Sequence, residues 1–193
     1  MMTEYPVRTR AWTRQEYDRL VSLGILHEDE PVELLDGQLI VAEPKGTPHA
    51  TAVGLVADAV RAAFGAGWVV RVQDPIALDD DSEPEPDVAV VPGRHRDYLV
   101  AHPARPALLV EVADASLALD RGAKGSLYAR AGVADYWIVN LVDRQVEVHR
   151  RPVPDTDSVF GWRYAEVEAF GAGTSIEPLA RPGFAVAVAD LLP

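Results

Sequence analysis

The sequence predicts an α/β domain, a mixed β-sheet flanked by helices and entered through an N-terminal helix and a β-hairpin. Three observations carry this. Residues 108–113, Leu-Leu-Val-Glu-Val-Ala, form an almost continuously apolar run, as expected for a strand covered on both faces. Residues 32–41 hold two short apolar stretches around Asp36-Gly37, a strong hairpin signal. Residues 49–64 repeat Val53, Val56, Val60, Ala63 and Phe64 at helical spacing.

Each element has a local reason. Thr13, with Glu16 three residues on, has the form of a capping box and predicts a short helix closed by Gly24. The Asp36-Gly37 hairpin follows. Thr47-Pro48 reads as an N-cap with proline at the first helical position. Strands are expected at 68–72, 75–78 and 87–91, the last two separated by the acidic turn Asp79-Asp80-Asp81-Ser82-Glu83. Residues 93–105 read as loop with a short helix. After the 108–113 strand a helix is expected over 120–131, with Gly132 as its C-cap. Strands at 136–140 and 145–150 join through Asp143-Arg144, and 162–170 and 184–188 are read as further strands. The whole reads as one domain over 1–193, its core about 13–150 and the strands of 151–193 packed on it.

Composition narrows the function. A chain of 193 residues, 48% hydrophobic and 25% charged, suits one globular domain with a sizeable core. It holds no apolar run long enough to span a bilayer, and residues 1–6 lack the basic-then-apolar pattern of a signal peptide. Zero cysteines rule out disulfides and thiolate metal sites and fit a cytoplasmic protein. The net charge of -12 argues against non-specific nucleic-acid binding, which needs a basic surface. It leaves room for a nuclease whose acidic site carries divalent cations. Phosphate loops of the P-loop or Rossmann kind, Gly-x-Ser-x-Gly and His-Glu-x-x-His are all missing, so redox-cofactor chemistry and triad hydrolysis have no support.

The chemistry lies in acids on apolar strands and a lone lysine. A carboxylate among Leu and Val is costly unless paired, hydrogen-bonded or metal-bound. Glu111, in such a run, reads as a ligand for Mg²⁺ or Mn²⁺, or else as an edge carboxylate paired with arginine. Asp87 opens the run Val88-Ala89-Val90-Val91. Alone it could be a turn residue; beside Glu111 it reads as a second ligand, with the Val112 carbonyl completing the shell. The chain has 18 Lys plus Arg but only two lysines, Lys45 and Lys124. Arginine is thus the default cation, and Lys124, in the helix after Glu111, reads either as an exposed helix charge or as an ammonium chosen for phosphate chemistry. Glu33 is either a site acid or a solvent-facing strand residue. His49 is either a surface residue or a phosphate contact at a helix N-terminus. Asp120 reads as an N-cap, and Tyr128, Tyr136 and Trp137 as core.

These residues resemble, in order and spacing, the Uma-type endonuclease family of the PD-(D/E)XK, restriction-endonuclease-like superfamily. The anchors are Val32-Glu33-Leu34-Leu35-Asp36-Gly37, His49, Pro84-Glu85-Pro86-Asp87, Val110-Glu111-Val112, Asp120 with Lys124 and Tyr128, and Gly132-Val133-Ala134-Asp135-Tyr136-Trp137-Ile138-Val139. The likeness runs from about Thr13 to Leu191. It implies a restriction-endonuclease-like core with Asp87 and Glu111 as metal-binding acids. Many superfamily members carry the lysine two residues after the second acid; here that position is Ala113, and Lys124 on the next helix takes its place. Glu33 matches an additional acid of the family. Asp114-Ala115-Ser116 stands where many relatives have Ser-Pro-Ser.

The expected function is therefore a metal-dependent phosphodiesterase, a DNA endonuclease using Mg²⁺ or Mn²⁺. Its catalytic set is Asp87, Glu111, Lys124, Glu33 and His49; its metal set is Asp87, Glu111 and Val112. Expected partners are nucleic acid, DNA ahead of RNA, and a second copy in a homodimer; no membrane is expected. The rivals are a catalytically silent regulatory module that binds nucleic acid or protein, and an enzyme for a small phosphorylated substrate.

Overall fold

The computed structural model describes residues 9–27, 30–41 and 45–193. Helix α1, Arg14–Ser22, starts on the predicted capping box: the Glu16 N–H donates to the Thr13 hydroxyl and the Thr13 N–H to the Glu16 carboxylate. Strands β1, Val32–Leu35, and β2, Gln38–Val41, pair antiparallel as their own hairpin. Its turn is held by Asp36 and Gly37 in left-handed conformations, φ 49° and 74°. Helix α2, Thr47–Phe64, begins one residue earlier than expected: Gly46 is the N-cap, and Thr47 and Pro48 lie inside the first turn.

The main sheet has six strands in chain order. They are β3, Trp68–Val72; β4, Val88–Pro92; β5, Leu108–Ala113; β6, Asp135–Asn140; β7, Gln145–Pro154; and β8, Trp162–Gly171. Only β5 and β6 are parallel; the other neighbours run antiparallel. That parallel step is the crossover carrying the helix between them. A short second pair, β9, Ser175–Ile176, and β10, Val186–Ala187, lies beyond the sheet.

Two expectations need correction. Residues 75–78 form no strand. The Ile76 and Ala77 N–H groups donate to the carbonyls of Pro84 and Pro103, and proline has no N–H with which to return a ladder bond. The expected strand at 184–188 shrinks to the two residues of β10 because a 3₁₀ turn, Val188–Asp190, ends it. Residues 1–8, read as lacking a signal peptide, lie outside the described residues.

Strand alternation divides the core into two layers. Val88, Val90, Leu108, Val110, Val112, Trp137 and Val139 pack against α2 and the C-terminal residues Val188, Leu191 and Leu192. On the opposite face Leu109, Ala113, Tyr136 and Ile138 meet Tyr128 and Ala129 of the crossover helix, with Ile76 and Tyr164. Arg130 pins the hairpin to this second layer: it donates to Asp36 at 2.5 Å and to Asp79 at 3.0 Å.

Candidate active site

The two acids meet because their strands are neighbours. Val88 pairs with Val110, so Asp87, one residue before β4, falls across from Glu111. The Asp87 N–H donates to Glu111 Oε2 at 3.3 Å, and Asp87 Oδ2 accepts the Val112 N–H at 2.9 Å. Both are buried, 4% and 3% exposed.

The crossover after β5 supplies the cation. It runs through α3, Leu117–Leu119, a π-helical turn, Asp120–Lys124, and α4, Gly125–Arg130. In the π turn the Gly125 N–H reaches back to the Asp120 carbonyl, which also accepts the Tyr136 hydroxyl at 3.1 Å. A Cβ on Gly125 would sit 3.1 Å from that carbonyl oxygen, so glycine suits this position. The wider turn brings Asp120 and Lys124 into one cleft. Gly132, φ 75°, ends the crossover in a Schellman motif, with Val133 N–H to the Tyr128 carbonyl and Gly132 N–H to that of Ala129.

Lys124 Nζ lies 3.1 Å from Glu111 Oε1 and 3.1 Å from Glu33 Oε2, with its other Glu33 contact, to Oε1, at 3.2 Å. The Tyr128 hydroxyl donates to Glu111 Oε1 at 2.6 Å. Around Asp87, Lys45 Nζ and Gln73 Nε2 approach Oδ1 at 3.2 and 3.1 Å, and His49 Nε2 approaches Oδ2 at 3.1 Å. An ionised carboxylate only accepts, so His49 Nε2 carries the proton here. A cleft of about 400 Å³ joins Glu33, Lys45, His49, Asp87, Glu111 and Lys124 with Glu85, Asp114 and Asp120.

Among the described residues, six carboxylates, from Glu33, Glu85, Asp87, Glu111, Asp114 and Asp120, line this cleft against two ammonium groups. The excess shows in the proton affinities. Burial pushes Glu111 up despite Lys124, and burial with the Glu33 charge pushes Glu85 up to about 7. Burial lifts Asp120 to about 6, against Lys124 and a 2.6 Å hydrogen bond from the Ser116 hydroxyl. Asp87 goes the other way: burial opposes its charge, but the His49 hydrogen bond and the Lys45 ammonium hold it below the usual carboxylate range. Burial likewise opposes the Lys124 charge, yet Glu111, Glu33 and Asp120 hold it above the usual lysine range. Lys124 is a fixed cation, not a base.

Asp87, Glu111, Lys124 and Glu33 thus meet in one place, as does His49. His49 is buried against Asp87 and is not a surface group at a helix end. Asp120 is not an N-cap; it sits inside the helix, 2% exposed. Tyr128 is a core residue, as expected, and also a ligand of Glu111. Sequence reasoning missed Lys45, Gln73 and Glu85. A signal for Lys45 existed: lysine's rarity singled out both lysines, and both reach this cleft. Among the described residues, no group of three or more His, Asp and Glu side chains stands at metal-ligand spacing.

The family model Uma2, described as "Putative restriction endonuclease", matches residues 14–189. Among solved structures, the chain is similar to the crystal structure of a "putative nuclease belonging to DUF820" from Anabaena variabilis. That match has a TM-score of 0.67 at 16% identity and covers 89% of this chain and 96% of the other, so the likeness is one of fold. No curated protein matches the chain. No helix among the described residues is long and apolar enough to cross a membrane.

Proposed function

The chain belongs to the Uma2 family, and from that premise we propose that it is a metal-dependent phosphodiesterase acting on nucleic acid, with DNA as substrate. One observation carries the reading: Asp87, Glu111 and Lys124, distant in sequence, converge in a cleft with more carboxylate than cation.

The donor set fits Mg²⁺ or Mn²⁺. Hard divalent ions take carboxylate and carbonyl oxygens, and an under-neutralised cluster of buried acids is relieved by two positive charges. Asp87, Glu111 and the Val112 carbonyl would hold the ion, leaving further positions to water and phosphate oxygen. The bound ion supplies an activated water and a polarised phosphate. The protein's own groups do the rest. Tyr128 and the Asp87 N–H fix the Glu111 carboxylate, His49 and Gln73 orient Asp87, and Glu33 steers Lys124. Lys124, protonated throughout, offsets the charge that builds on phosphate.

Incubation of plasmid DNA and of a structured RNA with Mg²⁺ tests this. Wild type should cleave DNA, while Asp87→Ala and Glu111→Ala should lose cleavage and keep a native far-UV spectrum. Equal activity in all three proteins overturns the assignment. A second reading, a silent binding module, draws on a specific feature: Asp87 is already saturated with protein hydrogen bonds and Glu111 accepts three. Nucleic-acid binding without cleavage at any divalent ion would favour it.

A further inference from the structure

The four hydrogen-bonding positions on Asp87 are all taken. Oδ1 accepts from Lys45 and Gln73, and Oδ2 from His49 and the Val112 N–H. A carboxylate oxygen offers two lone pairs, so a cation that binds Asp87 must replace one of these donors. The Val112 N–H is backbone within β5, and His49 is buried in α2. Gln73 is neutral, and its own N–H is tied to the Asp87 carbonyl at 3.1 Å. Its amide oxygen could itself face a cation. Lys45 differs from all three. It carries a full positive charge, its side chain is 39% exposed, and it precedes α2 next to Gly46. Charge repulsion and a long free stem make Lys45 the donor that yields.

We propose that Lys45 is the exchangeable counter-ion of Asp87, giving way to the divalent ion and passing to a phosphate of the nucleic-acid substrate. This rests on the function proposed above. The exchange makes chemical sense at both ends. An ammonium within 3.2 Å of a carboxylate lowers its affinity for any second cation. The same ammonium at the cleft mouth, once released, is a point charge with three donors suited to phosphate. It also gives an acidic protein, with no arginine among the described residues lining this cleft, a cation that reaches the substrate only when the ion is in place. Ion and substrate then bind cooperatively, each tightening the other by the same factor.

Calorimetric titration of the full chain with Mn²⁺ tests the first half. Lys45→Ala should bind Mn²⁺ about fivefold more tightly than wild type, the scale of a half-exposed ion pair, whereas Gln73→Ala should not. Unchanged or weaker Mn²⁺ binding in Lys45→Ala overturns the exchange. The second half is read with a phosphorothioate-linked DNA duplex, titrated with and without saturating Mn²⁺. Wild type should show a larger Mn²⁺-induced gain in duplex affinity than Lys45→Ala. Tighter Mn²⁺ binding with an unchanged gain would mean simple charge repulsion and overturn the transfer to phosphate. Glu111→Gln separates the levels of the argument. If wild type and Glu111→Gln bind Mn²⁺ alike, the proposed metal site itself fails; if only Glu111→Gln loses binding and Lys45→Ala matches wild type, the exchange alone fails.

Discussion

Replacing Lys124 with methionine tests the electrostatics of the cleft directly. The side chains of Lys124, Glu33 and Glu111 are 8%, 10% and 4% exposed, and the ammonium stands 3.1 Å from each carboxylate. Methionine keeps the apolar stem and removes the charge, leaving two acids facing each other out of water. Removing one partner of a buried pair costs roughly 3–5 kcal/mol. Glu111 limits the loss by taking up a proton, since burial raises its proton affinity and the Lys124 charge that opposes this rise is gone. The expected destabilisation at pH 7 is therefore about 3 kcal/mol, a large part of the roughly 5–15 kcal/mol of a typical domain. Urea titration followed by circular dichroism reads it as a midpoint shift of about 1 M or more. Protonating Glu111 becomes easier by up to about 1.4 kcal/mol per pH unit, so the gap to wild type should narrow at pH 5.5. Lys124→Met with Glu111→Gln, which needs no proton, should recover part of the loss. A destabilisation below about 1 kcal/mol at both pH values, outside the range for buried pairs, would refute the reasoning, because it would mean that Lys124 is effectively solvated.

Two further outcomes follow from the same structure. Burial pushes Glu83 and Glu85 from 4.5 up to about 7 and Asp120 from 3.8 up to about 6. Groups raised in this way favour the fold while protonated and lose that contribution progressively as pH rises from the ordinary carboxylate value to the folded one, complete by about pH 7. Burial depresses His149 to about 4, and it works oppositely, adding stability between about pH 4 and 6.5. Thermal melts without divalent ion should therefore decline from about pH 5 to 7, the three carboxyls outweighing His149, and Glu85→Gln should flatten that decline; a melting temperature climbing steadily across the range would contradict it. Gly37→Ala should destabilise by about 2 kcal/mol in urea titration, since φ is 74° and the new Cβ would lie 2.7 Å from the Ala11 Cβ. A change within about 0.5 kcal/mol would place it among ordinary surface substitutions and show that the turn adapts.

Local chemistry made several elements legible. Thr13 and Glu16, Asp36-Gly37 and Gly132 each act through atoms a few residues apart, and the structure keeps all three devices. The 75–78 segment misled because apolar content was visible while its partners were not: the facing residues are prolines, remote in sequence. The π turn was equally hidden, although Gly122 and Gly125 within one short helix hinted that the backbone there does something special. Lysine scarcity pointed to Lys124 and would have pointed to Lys45 had it been applied evenly.

By itself the sequence determined which residues are able to do chemistry. Carboxylates on apolar strands must find compensation when buried, and that rule depends only on residue type and immediate neighbours. What each carboxylate finds was decided by the tertiary structure. Strand register set Asp87 across from Glu111, the parallel crossover and its π turn delivered Lys124, and the hairpin, pinned by Arg130, brought Glu33 to the same ammonium. These contacts join residues up to 94 positions apart. Their energies depend on burial and on distances of about 3 Å, and neither quantity exists until the sheet has closed.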